Sequence, residues 1–141
     1  MRVVLANGVF DPLHYGHVLH LRAARKFGDY LVVAVAADNT VNKGPRRPVF
    51  AASERADMLK ELRCVTRVII VSSAEEAIRL IKPNFYAKGL EYKGKGKLPE
   101  ARLVRALGGR VVFTDTRVYS STALLSHLCK SQASTGERTT S

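Results

Sequence analysis

The sequence predicts a single α/β domain of the Rossmann-like, doubly wound type, with a five-stranded parallel sheet and helices on both faces. Short apolar, β-branched runs alternate with helical patterns, which is the order of elements in such a sheet. The run "YLVVAVAA" at residues 30–37 is continuously apolar, as expected of a strand buried on both faces. A length of 141 residues, with 46% hydrophobic and 25% charged residues, is typical of one ordinary globular domain.

The bounds of the individual strands and helices are predicted from the spacing of the apolar residues and from residues that typically begin or end a helix. The predicted strands cover residues 2–6, 30–37, 67–71, 85–88 and 110–114. The predicted helices cover residues 16–27, 52–62, 73–81, 99–107 and 121–128. We expect Gly28 to stop the first helix, and Ser73 with Glu76 to form a capping box that opens the third. The Asn-, Gly- and Pro-rich residues 38–51 are expected to form a loop.

The domain boundaries and the cell compartment are also expectations from composition. Residues 1–130 should form the folded domain, and residues 131–141 a disordered basic and polar tail whose only apolar residue is Ala133. No apolar run approaches the ~20 residues of a membrane span, and the first residues are typical of a strand rather than of a signal peptide. Cys64 and Cys129 lie in no paired motif. We therefore expect reduced thiols in a cytoplasmic protein that has no membrane partner.

The chain is strongly basic, with a formal net charge of +11, and this charge attracts polyanions such as nucleic acids or small phosphorylated substrates. The excess is concentrated in residues 43–47 and 88–110. Neither stretch has the interleaved aromatic residues on which single-stranded nucleic acid stacks. This argues against nucleic acid as a partner and favours a small phosphorylated ligand.

A polar turn, "NGVFDPLHYGH", follows the first predicted strand and leads into the first helix. Gly8 and Gly16 allow a close approach of the backbone. The start of the helix offers unpaired amides and a positive dipole end, which favour an anion. His14 and His17 can donate hydrogen bonds to phosphate oxygens. Parallel sheets bind ligands at the carboxyl ends of their strands, so the turn predicts a phosphate-binding site.

Two other interpretations of the histidines remain open. His14, His17 and His20 recur every third residue, but zinc would need a further ligand, and no cluster of Cys or acidic residues offers one. We therefore predict no protein-bound metal. Alternatively, the histidines only satisfy the start of the helix. His20 is interpreted as a solvated or packed helix residue.

The stretch "GVFDPLHYGH" resembles the G-x-F-D-x-x-H-x-G-H signature of the cytidylyltransferase-like nucleotidyltransferases. Three further stretches, "NKGPRRPVFAASERADML", "IKPNFYAKGLEY" and "VYSSTALL", are similar to later segments of that family and occur in the same order. The resemblance runs from about residue 2 to residue 128. Within the superfamily it is nearest to the adenylyltransferase domain of the bifunctional heptose biosynthesis protein, and next to glycerol-3-phosphate cytidylyltransferases.

This resemblance implies transfer of a nucleotidyl group from a nucleoside triphosphate to a phosphorylated acceptor. The acceptor phosphate would attack the α-phosphorus in line, with Mg²⁺ present, and pyrophosphate would leave without a covalent enzyme intermediate. The nearest match favours ATP and a sugar phosphate such as heptose 1-phosphate. The alternative is CTP with glycerol 3-phosphate or another alditol or alcohol phosphate. The family also implies a homodimer.

The same resemblance implies the roles of individual residues. His14, His17 and Lys43 would be catalytic. The nucleotide would contact both histidines together with Gly8, Val9, Phe10, Asp11, Gly16, Lys88, Gly89, Ser120, Ser121 and Thr122. The acceptor would contact Asp38, Lys43, Arg55 and Glu91. Asp11 would orient the site or a Mg²⁺-bound water.

The chain departs from the family pattern in two segments. Glu91 replaces the aspartate of K-G-x-D-Y. Asp115 and Val118 replace an arginine and a glycine that precede the Ser-Thr cluster, and Arg117 stands at a shifted position. Two rival functions therefore stay open. One is a nucleotide-binding regulator without turnover, and the other is an RNA- or DNA-binding module driven by charge.

Overall fold

A computed structural model describes residues 1–93 and 98–115, apart from the side chain of Glu91. Its sheet has five strands, all paired in parallel, in the order β3-β2-β1-β4-β5. The strands are β1 (Val3–Gly8), β2 (Tyr30–Ala36), β3 (Arg67–Val71), β4 (Phe85–Gly89) and β5 (Arg110–Thr114). This sheet confirms the predicted fold class.

Four α-helices lie in the described part of the chain. They are α1 (Tyr15–Arg25), α2 (Ala52–Lys60), α3 (Ala74–Ile81) and α4 (Ala101–Ala106). Short 3₁₀ turns cover Asp38–Thr40 and Leu90–Tyr92. Within the described ranges, none of the helices combines the length and the hydrophobicity needed to cross a bilayer. The predicted helix at residues 121–128 and the predicted tail lie outside the described residues.

Two apolar layers enclose the sheet, because successive residues of β1 face opposite sides. Val4 and Ala6 pack in one core with residues of α1 and α2, among them Leu21, Ala24, Ala56 and Leu59. Leu5 packs in the other core with residues of α3 and α4, among them Ala77, Ile78 and Val104. Both faces of β1 are therefore buried, as its apolar sequence requires.

The predicted helix ends are partly corrected. The Ser73 hydroxyl accepts a hydrogen bond from the Glu76 amide at 3.1 Å, but the Glu76 carboxylate accepts from the amide of Ser72, not of Ser73. Helix α1 ends at Arg25, two residues earlier than predicted. Gly28 does not stop it through a left-handed backbone; a Cβ there would lie 2.6 Å from the Arg2 carbonyl oxygen. Close approach of two backbone segments explains this glycine.

The order of the strands reverses around β1, and the sheet opens at that point. Strand β1 pairs with β2 as far as Gly8↔Val35. It pairs with β4 only at Val4↔Phe85 and Leu5↔Tyr86. Beyond these pairs the carboxyl ends of β1 and β4 separate. A crevice at such a switch point is where open α/β sheets bind ligands.

Candidate active site

The turn after β1 is built around the ring of Phe10. Phe10 has a left-handed backbone, with φ of 55°, and its side chain is buried. A Cβ at Gly8 would lie 3.0 Å from this ring, so Gly8 is needed to make room for Phe10. The Phe10 ring in turn meets the His17 ring edge to face, with centroids 5.0 Å apart. Gly8 therefore leaves room for the aromatic ring that packs against His17, and its expected contact with the nucleotide stays a prediction.

The two histidines of the turn form a reciprocal cap at the start of α1. The Gly16 amide donates a hydrogen bond to His14 Nδ1 at 3.1 Å. The His14 amide donates to His17 Nδ1 at 3.2 Å. Both rings thus accept hydrogen bonds at Nδ1, so each neutral imidazole must carry its proton on Nε2. The fold selects one tautomer for both rings and makes both Nε2 atoms donors.

Electrostatics keep both imidazoles neutral. The rings are stacked with centroids 3.8 Å apart. The pKa of His17 is lowered to about 3, mainly by burial and to a smaller extent by the charges of His14, His20 and Lys43. Burial, and then the charge of Lys43, also lowers the pKa of His14. At neutral pH the site therefore offers two uncharged N–H donors whose protonation state is insensitive to small changes of pH.

Lys43 is brought to these histidines by the loop between β2 and α2. It lies close enough for its charge to lower the pKa of both rings. Burial and the neighbouring charge of Arg47 lower the pKa of Lys43 itself, and Asp11 partly opposes this shift. The structure thus brings together the three residues expected to be catalytic.

Asp11 anchors this loop. Its buried carboxylate accepts hydrogen bonds from Arg47 Nε at 2.8 Å and from the amides of Val49 and Phe50 at 2.7 and 2.9 Å. Arg47 also donates to the Asp11 backbone oxygen. Burial raises the pKa of Asp11, but the two amides and Arg47 outweigh it and hold the pKa below its ordinary value. Both carboxylate oxygens are engaged by the protein, and the expected contact of Asp11 with the nucleotide or a metal-bound water stays a prediction.

Arg55 is a second internal anchor. Its side chain is 0% exposed and donates four hydrogen bonds of 2.7–2.9 Å. The acceptors are the backbone oxygens of Val9, Ala36 and Phe50 and the carboxylate of Asp38. The guanidinium of Arg55 therefore joins the turn, the end of β2 and the loop, and its expected contact with the acceptor stays a prediction. Asp38 also accepts from the Ala52 amide but keeps about half of its side chain exposed, at 52%.

Strand β4 delivers Lys88 and Gly89 to the same edge of the sheet. The Lys88 ammonium lies 4.4 Å from the centre of the Tyr92 ring and 5.7 Å from that of Tyr86, so it is held over two aromatic faces. The Tyr86 hydroxyl lies 2.8 Å from Asn7 Oδ1, which links β4 to the end of β1. The sequence pattern did not reveal this link, since Tyr86 and Asn7 are 79 residues apart.

Other site expectations lie outside what the structure describes. They concern Ser120, Ser121, Thr122, Arg117 and Val118, together with the side chain of Glu91. Asp115 is described and exposed, directly after β5. Among residues 1–93 and 98–115, no three or more His, Cys, Asp or Glu side chains are grouped so that they could hold a metal ion. The described part of the site brings the imidazole N–H groups of His14 and His17 together with Lys43, while the amides of His14 and Gly16 are already hydrogen-bonded to those rings.

The sequence pattern of the family described as "Cytidylyltransferase-like" matches residues 5–124 of this chain. The chain belongs to the cytidylyltransferase-like family. The match begins within β1, at Leu5, and includes the turn that carries His14 and His17 (the histidine turn) and all later helices and strands of the described residues. The predicted resemblance is therefore confirmed, and with it the chain's assignment as a nucleotidyltransferase.

Several curated relatives of this cytidylyltransferase-like chain are bifunctional HldE proteins. The one from Streptomyces coelicolor is 43% identical over 130 residues, which are 87% of this chain and 27% of the relative. The one from Gluconobacter oxydans is 40% identical over 128 residues, which are 88% of this chain and 26% of the relative. The chain thus spans about a quarter of the length of these curated relatives.

A solved structure shares the fold over its whole length. It is the crystal structure of the lipopolysaccharide core biosynthesis protein from Thermoplasma volcanium GSS1, with a TM-score of 0.68 and 32% sequence identity. The similarity covers 85% of this chain and 99% of the other. The cytidylyltransferase-like domain described here therefore has a counterpart of nearly the same extent.

Proposed function

We propose that this protein transfers a nucleoside monophosphate from a nucleoside triphosphate, with ATP favoured, to a phosphorylated sugar such as heptose 1-phosphate, and releases pyrophosphate. One observation carries the proposal: His14 and His17 are fixed as neutral Nε2–H donors at the start of α1, at the switch point of the sheet. Similarity to the HldE proteins and to a lipopolysaccharide core biosynthesis protein supports a sugar phosphate as the acceptor.

The chemistry needs positioning and charge stabilisation more than it needs a base. An oxygen of the acceptor phosphate is already anionic, and it forms a bond to the α-phosphorus while the bond from that phosphorus to the pyrophosphate oxygen breaks. The electron pair leaves with pyrophosphate, and no proton has to move. The protein must hold two polyanions that repel each other and stabilise the charge on the α-phosphate oxygens. Two imidazole N–H donors of His14 and His17 suit this role.

The cations supply the remaining stabilisation. Lys43 shares the neighbourhood of both histidines, and Lys88 stands at the end of β4 on the same edge of the sheet. The Asp11 and Arg55 contacts hold the loop that carries Lys43. We therefore assign Asp11 and Arg55 as positioning residues and Lys43 as a phosphate-contacting one.

Mg²⁺ fits this site as a companion of the nucleotide. Mg²⁺ in nucleotide enzymes is commonly bound by substrate phosphates with few protein carboxylates. Three donors already bind the oxygens of Asp11, so we assign it no contact with the ion; Asp38 is half-exposed with one oxygen already bonded. The triphosphate oxygens would hold the ion, and its chemistry would be neutralisation of phosphate charge.

A second candidate function is cytidylyl transfer from CTP to glycerol 3-phosphate or a related alcohol phosphate. The match to the cytidylyltransferase-like family favours it. The two candidates share every step at the α-phosphorus and differ only in the base and the acceptor. The histidine turn could bind the phosphates in either reaction, so it does not distinguish the two candidates.

The deciding experiment measures pyrophosphate release in the presence of Mg²⁺. ATP, CTP, GTP and UTP are each combined with heptose 1-phosphate, glycerol 3-phosphate, ethanolamine phosphate and FMN. We expect release with ATP and heptose 1-phosphate, at a rate that falls about 10²–10³-fold in the His14→Asn variant. Release only with CTP and glycerol 3-phosphate would establish the second candidate. Nucleotide binding without release in any combination would favour a regulator, and no nucleotide binding at all would overturn the proposal.

A further inference from the structure

His20 makes a contact that the proposed chemistry does not use. It lies on α1, one turn after His17, and its Nδ1 is 2.6 Å from the hydroxyl oxygen of Thr114. Thr114 is the last residue of β5, and it is 1% exposed. The same hydroxyl lies 3.5 Å from the backbone oxygen of Lys88. A chain of polar contacts therefore runs from α1 to the carboxyl ends of β5 and β4.

The burial of Thr114 needs an explanation. Among the described residues, the buried polar side chains are Asp11, Arg55 and Thr114. The first two anchor the loop that carries Lys43, as shown above. A buried hydroxyl without a hydrogen-bond partner destabilises a fold, so Thr114 requires the ring of His20 or the carbonyl of Lys88. The shorter of the two distances is the one to His20.

We propose that His20 is a positioning residue for nucleotidyl transfer: through Thr114 it holds the carboxyl ends of β4 and β5 against the helix that carries the catalytic histidines. This inference rests on the proposed function. His14 and His17 approach the phosphates from α1, and Lys88 approaches from β4, so productive geometry depends on the spacing between these elements. The contact between His20 and Thr114 joins the second turn of α1 to the end of β5, and it thereby sets the distance between α1 and the strand ends.

The position of His20 also links it to His17. The two residues are three apart on α1, which makes them neighbours on the helix surface. The charge of His20 contributes to the lowered pKa of His17. A displaced His20 ring would therefore alter both the packing and the electrostatic surroundings of a catalytic ring.

The test combines substitutions at both ends of the contact. His20→Phe keeps an aromatic ring without nitrogens, and Thr114→Val keeps the shape without the hydroxyl. We expect each to lower kcat/KM by roughly tenfold to a hundredfold, mainly through kcat, as expected of a small misplacement of reacting groups. The double variant should be no slower than the worse single variant, because both changes remove one contact. His20→Asn and Thr114→Ser keep hydrogen-bonding groups and should recover most of the activity.

The controls separate positioning from stability and from the proposed function itself. Arg22→Ala, at an exposed site on α1, should leave kcat unchanged. Wild-type rates in His20→Phe, additive losses in the double variant, or losses that the conservative variants do not recover would each overturn the inference. If the wild-type protein transfers no nucleotide, the proposed function fails. The contact is then tested by the ¹⁵N chemical shifts of the His17 ring, which Thr114→Val should change; unchanged shifts would overturn the positioning role.

Discussion

The carboxylate of Asp11 and the guanidinium of Arg47 form a 2.8 Å ion pair in which the side chains are 0% and 8% exposed, respectively. Asp11 belongs to the histidine turn, and Arg47 belongs to the loop that carries Lys43. The pair therefore joins the two segments that carry the residues proposed to be catalytic. Because both groups are withdrawn from water, removal of one would leave the other buried without its partner.

Asp11→Asn should destabilise the fold and slow transfer. It removes the charge that holds Arg47, and breaking a buried pair in this way commonly costs about 3–5 kcal/mol. Chemical denaturation measures the loss, and the steady-state assay should show a lower kcat because Lys43 is no longer held. Asp57→Asn is the matched control, since the Asp57–Lys60 pair is long, at 3.9 Å, and exposed. Equal stability of the two variants would refute the anchoring role.

The His14→Asn variant distinguishes the helix-capping role of His14 from its role as a hydrogen-bond donor to the substrate. Asparagine is a favourable helix N-cap, so its side-chain oxygen can replace His14 Nδ1 as the acceptor from the Gly16 amide. It has no counterpart of Nε2–H. We expect nearly wild-type thermal stability together with a fall in kcat of about 10²–10³-fold, the range for loss of one transition-state donor. Lys26→Ala, at the opposite end of α1, controls for unrelated effects. Activity that survived in a stable His14→Asn protein would rule out the donor role.

Arg55→Lys tests whether Arg55 is structural. Lysine cannot supply the planar set of donors that reaches Val9, Ala36, Phe50 and Asp38. The midpoint of denaturation should therefore fall, whereas Arg22→Lys on exposed α1 should have almost no effect. The KM for the acceptor should change little when it is measured well below the melting temperature. A stable Arg55→Lys protein with a greatly raised KM for the acceptor would show that Arg55 contacts the acceptor and is not mainly structural.

Stability should decrease on mild acidification because of the histidine pair. The pKa of His17 is about 3 in the fold, and its ordinary value is 6.5. Between these values the unfolded chain binds a proton that the folded chain does not, so the free energy of unfolding falls as the pH drops from about 6.5 towards 3. The lowered pKa of His14 acts in the same direction. Asp11 also stabilises the fold, but that stabilisation is lost only as the pH falls to about 3.8, the ordinary pKa of aspartate. Between pH 4.5 and 6.5 the change in the free energy of unfolding therefore comes mainly from the histidines.

Denaturation midpoints measured from pH 8 to pH 4.5 would check this expectation. The His17→Phe protein keeps an aromatic ring that cannot be protonated, so its stability should depend less steeply on pH than that of the wild-type protein. Parallel curves for the two proteins would show that His17 titrates normally in the fold. The transfer rate of the wild-type protein should also be nearly constant from pH 7 to pH 8, since both imidazoles act as neutral donors.

The local sequence pattern correctly predicted the architecture, and it also predicted where in that architecture the candidate site lies. Strands β3 and β5 have the bounds that their apolar runs predicted, and the polar turn after β1 lies at the switch point as expected. These features depend on periodicity and on capping or breaking residues within a few positions, which a single sequence displays. The pair of His14 and His17 is also local, because the two residues are three positions apart in the chain.

Long-range contacts decided what the polar residues do. Asp11 and Arg55 are predicted to lie at the ligand, and the fold shows in addition that their side chains tie the loop to the turn. Asp11 and Arg47 are 36 residues apart, and His20 and Thr114 are 94 apart. A charged side chain has the same sequence signature whether it meets a phosphate or a buried partner. Only the packing of the sheet brings such partners together and excludes water from them, and that exclusion determines whether a charge binds a ligand or holds the protein in shape.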